Sequence, residues 1–183
     1  SIDGQVNVAI SERQPGSSFK PLVYAAGFKD KYNPGYTLWD VKTEFGNYSP
    51  DNYDSSSHGP VSIRTALANS YNIPAVKMLY LVGIDKALET AHEMGITTLN
   101  DKSKYGLSLV LGAGEVKLVD MTTAYGVFAN QGTLNETTAI LKVEDKNGKV
   151  IWEANTEKNK KEVLDPQVAY EISSILSDKA ARA

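Results

Sequence analysis

One pair of side chains has the types and spacing for nucleophilic chemistry: Ser17 and Lys20, within Arg13-Gln14-Pro15-Gly16-Ser17-Ser18-Phe19-Lys20-Pro21. A serine hydroxyl attacks a carbonyl well only when a neighbour within hydrogen-bond reach takes its proton. A lysine amine does this at neutral pH once burial or a nearby cation lowers its pKa. A Pro-Gly turn delivers the backbone into an apolar run, Phe19 to Phe28, that reads as a buried helix of roughly three turns. At the mouth of that helix Ser17 and Lys20 lie one turn apart and share a face. Register excludes Ser18, whose partner at the same spacing is Pro21. Taken alone the pair carries little weight, because Ser-x-x-Lys arises roughly once by chance in a chain of this size. A capping serine beside a solvated lysine is the competing reading.

A second polar station supports the first. Ser62 reads as the cap of a helix with Ile63, Ala66, Leu67 and Ser70 on one face. That helix must stop before Pro74, which disfavours helical geometry in the residue ahead of it. Pro74 then opens another helix through Val76, Leu79 and Tyr80 to Gly83, with proline inside its start and glycine at its end. Ser70-Tyr71-Asn72 is thereby held in a corner between two helices, either as a plain polar turn or as groups aimed into a cleft.

The other elements follow from periodicity and turn chemistry. Gln5 to Ile10 alternates and reads as an extended segment. Asn33-Pro34-Gly35 breaks the first helix, and Tyr32 to Pro60 shows neither helical nor strand periodicity. Its aromatics, among them Tyr36, Trp39, Phe45, Tyr48 and Tyr53, argue against disorder. The segment is either a loop laid over the core or a wall of a binding groove. Asp85 reads as the cap of a helix closed by Gly95, and Glu115 to Asn130 as an amphipathic helix with Leu118, Met121, Tyr125 and Phe128 on one face. Ala139–Glu144 and Lys149–Glu153 flank Lys146-Asn147-Gly148, a strong hairpin signal. Asp165-Pro166 opens a last helix with Val168, Ile172, Ile175 and Leu176 spaced for burial. The sum is about six helices and one hairpin.

Composition excludes several function classes. The 183 residues are 42% hydrophobic and 22% charged, ordinary for a folded domain, with a net charge of −3. No basic stripe suited to nucleic acid is present. The short basic run Lys158 to Lys161 reads as a solvated loop. No apolar stretch reaches membrane-spanning length and no signal-peptide pattern opens the chain. Cysteine is absent, and His58 and His92 have no ligand-like spacing, so neither a metal nor another cofactor is expected. Phosphate-cradling and dinucleotide-binding glycine loops are also missing.

Ser-x-x-Lys followed by a Ser-x-Asn element belongs to the three-part signature of penicillin-binding proteins and serine β-lactamases. The stretch Arg13 to Pro21 resembles the nucleophile segment of the transpeptidase domain of class A, bifunctional penicillin-binding proteins. The resemblance continues through Asn52-Tyr53-Asp54, Gly59-Pro60-Val61 and Arg64 to Val76. It then runs through Leu111-Gly112-Ala113-Gly114-Glu115-Val116 and Ala124 to Gly132, nearly the whole chain in order. It implies that Ser17 is the nucleophile attacking the D-Ala-D-Ala carbonyl of a peptidoglycan stem peptide, and the residue acylated by β-lactam antibiotics. Lys20 would be its base, Ser70 a hydroxyl relaying a proton to the leaving group, and Asn72 an amide holding the substrate backbone. The implied setting is the extracytoplasmic face of a bacterial cell membrane, reached through a segment not in this chain, with no nucleic acid among the partners.

The departures also set expectations. Lys-Thr-Gly, the third element, is absent; Lys42-Thr43-Glu44 is the nearest string and lies between the first two. The chain is therefore expected to be mainly α, the helical part of the α+β serine β-lactamase/transpeptidase-like fold. One small hairpin is expected, with most of the central sheet missing, and residues 1–183 forming one incomplete domain. Alone, such a piece is expected to acylate weakly or not at all. Lys42 replaces an expected proline, and Lys117-Leu118 an expected Thr-Pro. The rival readings are a D,D-carboxypeptidase or β-lactamase-like hydrolase, with water as acyl acceptor, and a non-catalytic β-lactam-binding or interaction module.

Overall fold

The computed structural model describes residues 4–155 and 160–182. In chain order the elements are β1 (Glu12–Arg13), a 3-10 turn (Gly16–Phe19), α1 (Lys20–Asp30), β2 (Thr37–Asp40), β3 (Gly59–Ser62), α2 (Ile63–Ala68), α3 (Asn72–Val82) and α4 (Ile84–Glu93). After two short 3-10 turns come β4 (Val116–Lys117), α5 (Leu118–Ala129), β5 (Thr133–Asn135), β6 (Lys142–Glu144), β7 (Val150–Glu153), β8 (Lys160–Glu162) and α6 (Pro166–Ser177). The mainly helical reading holds, with six α-helices among the described residues.

The organising element is α1. Every residue from Lys20 to Phe28 is buried, so this helix is apolar nearly all round between Lys20 and its exposed end, Lys29-Asp30. It packs against α3, α4 and α6, and the core closes around it through Leu22, Tyr24, Met78, Leu79, Ala91 and Ile172. Pro21 fits the first turn, where the missing N–H leaves no bond unmade. The Ser62 cap is as the sequence predicts, its hydroxyl accepting from Thr65 N at 3.1 Å. The α6 start agrees too, with Asp165 accepting from Gln167 N at 2.7 Å.

Several expectations are corrected. Among the described residues, four two-stranded antiparallel ladders stand where one hairpin was expected: β1–β4, β2–β3, β5–β8 and the predicted hairpin β6–β7. The alternating Gln5–Ile10 is turn rather than strand, because Asn7 bends the chain. Its side chain accepts from Ala9 N, and its carbonyl from the N–H groups of Ile10 and Ser11. The Tyr32–Pro60 stretch contains β2, paired with β3 in the register Leu38↔Val61. Its period-2 pattern is real, but the two inward positions are Leu38 and Asp40, and a buried aspartate hides the alternation from a hydrophobicity reading.

Asp85 is not a cap: Gly83 precedes α4, and Asp85 lies inside its first turn. The helix expected from Glu115 begins at Leu118, Val116 and Lys117 having paired with Arg13 and Glu12. Leu118 is 57% exposed and the buried face of α5 is Asp120, Met121, Ala124, Val127 and Phe128. Of the basic run, Lys158 and Asn159 lie outside the described residues, while Lys160 and Lys161 form β8 against Thr133–Asn135. Among the described residues no helix is long and apolar enough to cross a membrane.

Gly126, in the middle of α5, has no heavy atom within 4 Å of where a Cβ would stand. Gly126→Ala is therefore expected to stabilise the chain by about 0.5–1 kcal/mol through the lost backbone freedom of the unfolded state. The urea midpoint reads this, and a fall would show that this face of α5 is covered.

Candidate active site

The 3-10 turn Gly16–Phe19 runs directly into α1, so Lys20 follows Ser17 by one turn and donates its backbone N–H to the Ser17 carbonyl. Gly16 has φ +59° and opposes Gly112, φ +83°; a Cβ on Gly112 would stand 2.1 Å from Gly16 N and 2.4 Å from its Cα. Only glycine permits that backbone-on-backbone approach. Tyr125 on α5 fixes the other side of the turn, its hydroxyl donating to the Ser18 carbonyl at 3.0 Å. The Ser18 hydroxyl is spent on the Pro15 carbonyl at 2.7 Å. Ser17, like Ser18, is exposed.

Lys20 is 1% exposed. Its ammonium donates to three acceptors: the Ser70 carbonyl at 2.5 Å, the Ser70 hydroxyl at 3.0 Å and Asn72 Oδ1 at 2.7 Å. The sequence-predicted stations thus meet across some fifty residues of chain, with Lys20, Ser70 and Asn72 bonded and Ser17 at the head of the same helix. The Ser17 hydroxyl is not among the partners of Lys20. Burial pushes the Lys20 amine down from 10.5 to about 8.

Ser70 has φ +57°, a left-handed conformation that a serine adopts at an expense of about 1–3 kcal/mol. Its carbonyl and its hydroxyl both reach the one amine of Lys20. The hydroxyl is the amphoteric member of the set. It accepts from an ammonium and donates to a neutral amine, whereas the carbonyl and Asn72 Oδ1 only accept. A proton can therefore pass between Lys20 and Ser70 with the other two bonds kept.

Asn72 begins α3, and the four leading N–H positions of that helix are accounted for without a cap of its own. Tyr71 N donates to Ala66 O at 2.9 Å. Asn72 N and Ile73 N donate to Asn52 Oδ1 at 2.7 and 3.2 Å. Pro74 has no N–H. The Asn72 side-chain nitrogen donates to the Asp51 carbonyl at 2.8 Å, which leaves its oxygen facing Lys20. Asn52 is itself buried and donates to both oxygens of Asp40 at 2.9 Å. His58 closes the loop: Nδ1 meets Asp40 at 2.5 Å, Nε2 meets Asp54 at 3.2 Å, and the ring stacks 4.1 Å from that of Tyr71.

Sequence reasoning missed Asp40, Asn52 and His58 as supports of this corner. Asn52-Tyr53-Asp54 is part of the resemblance, but nothing in its composition says that the asparagine points inward. The reading of the Tyr32–Pro60 segment as a loop laid over the core is met in part. Tyr32 is buried in the core with Phe45 and Tyr48 packed against it, while Trp39 and Tyr53 face solvent. An apolar hollow of about 330 Å³, lined by Val8, Arg13, Pro15, Ser18, Val116 and Met121, lies beside the Gly16–Phe19 turn. A cavity of about 560 Å³ between Tyr32 and Glu171 touches none of the four predicted residues.

Residues 5–183 match the family model of the penicillin-binding protein transpeptidase domain. The chain belongs to that family, and its relatives are class A penicillin-binding proteins. It is 34% identical to penicillin-binding protein 2D of Bacillus subtilis over 174 residues, 91% of this chain and 24% of that protein. It is 36% identical to penicillin-binding protein 1A of Clostridium acetobutylicum over 179 residues, 90% of this chain and 22% of that protein. The chain thus spans about a quarter of the length of these relatives. The crystal structure of penicillin-binding protein 1A from Haemophilus influenzae superposes with a TM-score of 0.82 at 26% identity, covering 94% of this chain and 31% of that one. The fold is also that of PonA1 from Mycobacterium tuberculosis, solved with penicillin V, at a TM-score of 0.84 and 22% identity over 96% of this chain and 49% of that one.

Proposed function

We propose that this chain is the acylating part of a serine D,D-transpeptidase that cross-links peptidoglycan stem peptides and is blocked covalently by β-lactams. The observation that carries this reading is Lys20: a buried amine pushed down to about 8, bonded to Ser70 and Asn72, and one turn beyond an exposed serine. Lys20 in its neutral form takes the Ser17 Oγ proton as Oγ bonds to the D-Ala-D-Ala carbonyl carbon. The C–N bond to the terminal D-alanine then breaks, and the departing nitrogen receives a proton through the Ser70 hydroxyl. An amino group of a second stem peptide attacks the Ser17 ester and releases the serine. Asn72 holds the donor peptide's backbone through its amide. The Ser17 N–H, at the start of a helical run, supplies one oxyanion donor.

Lys-Thr-Gly, which the resemblance implies would bring a lysine and, from its strand, a second oxyanion donor, does not occur in this sequence. One missing donor costs about 3–4 kcal/mol, a hundred- to thousandfold in rate. The chain by itself is therefore expected to label slowly with a fluorescent penicillin, and the whole protein rapidly, on its extracytoplasmic, membrane-tethered face of the cell. Ser17→Ala in the whole protein should abolish labelling. Undiminished labelling of that variant would remove Ser17 as nucleophile and the reading with it. A rapidly hydrolysed acyl-enzyme, followed by intact mass spectrometry, would instead favour a carboxypeptidase.

A further inference from the structure

We propose that Asp40 and Asn52 are positioning residues for acyl transfer: the buried carboxylate orients the Asn52 amide, which caps α3 and so aims Asn72 and Ser70 at Lys20. The inference rests on the transpeptidase reading above and concerns residues outside its reacting set.

Asp40 is fully buried in the side of β2 that faces the core. A carboxylate is kept there only when its oxygens are bonded, since an unpaired buried charge is expensive. Its partners are the Asn52 amide nitrogen, the His58 backbone N–H at 3.1 Å and the His58 ring. Carboxylate oxygens only accept, so the Asn52 nitrogen must face Asp40 and its oxygen must face the other way. That oxygen receives the two N–H groups that open α3. The amide nitrogen also donates to the Ser56 carbonyl at 2.8 Å, which ties the loop to the same point.

The consequence reaches Lys20 by a short path. The first residue of α3 is Asn72, whose oxygen bonds the amine, and two residues ahead is Ser70, held in its left-handed conformation. Tyr71 between them is covered by the His58 ring. With no side chain of its own capping α3 from Tyr71, the register of this corner depends on an asparagine twenty residues upstream. A shift of about 1 Å in reacting groups is worth up to a hundredfold in rate.

Donor and acceptor can be exchanged at this contact, which separates orientation from bulk. Asn52→Asp in the whole protein sets two carboxylates face to face, with no donor between them when both are ionised. It is expected to slow labelling by a fluorescent penicillin about a hundredfold. The double variant Asp40→Asn/Asn52→Asp restores a donor at 40 and an acceptor for Asn72 N and Ile73 N at 52. It leaves His58 a carbonyl oxygen to bond, and the Ser56 carbonyl, which loses its donor in both variants, does not distinguish them. With both rates expressed per folded molecule, so that restored stability is not counted, it should label at least about tenfold faster than Asn52→Asp alone. A double variant that is unfolded, or folded and no faster than Asn52→Asp, overturns the proposal. So does a folded Asn52→Asp that labels like wild type. If Asn52→Asp does not fold, a folded double variant within about tenfold of wild type supports the proposal, and a slower one overturns it. Wild-type protein that fails to label on Ser17 defeats the acyl-transfer reading instead.

Discussion

Lys20→Met is expected to reduce penicillin acylation of the whole protein by a thousandfold or more while keeping the volume of the core. General-base removal alone accounts for about 10²–10⁴ in rate. Here the loss is compounded, because the Ser70 hydroxyl no longer has an amine with which to exchange a proton. The same variant carries a stability signature. The folded-state pKa of Lys20 is about 8 against 10.5 for a free lysine. Between those values the unfolded chain binds a proton that the folded one does not, so stability rises as pH increases through the window. Below about 8 both states are protonated and the burial penalty is fully present. The Lys20 contribution to the rise from pH 7 to pH 10 is about 2–3 kcal/mol. Lys20→Met should lose this rise, and comparing the two proteins at each pH cancels the tyrosines that also titrate there. Identical urea midpoints against pH for wild type and Lys20→Met would mean that Lys20 is ordinary in both states.

Acylation should follow the same ionisation with the sign required of a base. Only the neutral amine accepts the Ser17 proton, so the rate climbs with pH and levels off above about 8. A profile that falls as pH rises through 8 would show the ammonium to be the working form.

The grouping of the candidate site residues was legible because its signals are local. Ser17 and Lys20 are one turn apart, and Ser70 and Asn72 lie between a capping serine and a proline expected to open α3, which in fact begins two residues earlier, at Asn72. Those signals depend on neighbours in sequence; they bring the four residues together, although α2 ends at Ala68, short of Ser70, and Asn72 lies inside α3 rather than ahead of it. The supports of the site were hidden for the opposite reason. Asp40 and Asn52 are polar residues in a stretch rich in turn formers, and composition assigns such residues to the surface. Their burial depends on a contact made with α3, which begins twenty residues beyond Asn52. β2 was missed for the same cause, since one of its two inward positions is that aspartate. At β4 a long-range pairing with β1 took Val116 and Lys117 out of a helix to which their local pattern had assigned them. Long-range pairing and buried polar bonds leave little trace in local periodicity; helix caps and turn residues leave a clear one.

Gly112→Ala is expected to damage both stability and acylation, although residue 112 bears no reactive group. Its φ of +83° lies where an L-residue is strained, by about 1–2 kcal/mol. The added methyl would also stand 2.1, 2.4 and 2.5 Å from the N, Cα and O of Gly16. Those neighbours are main chain, so no rotamer change relieves the overlap and the two turns must separate. Overpacking of this kind adds about 1–3 kcal/mol. The turn that gives way begins one residue before Ser17 and continues into α1, whose buried length holds the rest of that helix still. The displacement therefore falls on the nucleophile, with a rate loss of about a hundredfold for a shift near 1 Å. Gly126→Ala is the matched control, since both variants add one methyl but only Gly112 meets backbone. A Gly112→Ala protein with the wild-type urea midpoint and labelling rate would mean that residues 112 and 16 do not touch, and that the nucleophile turn is held by Tyr125 alone.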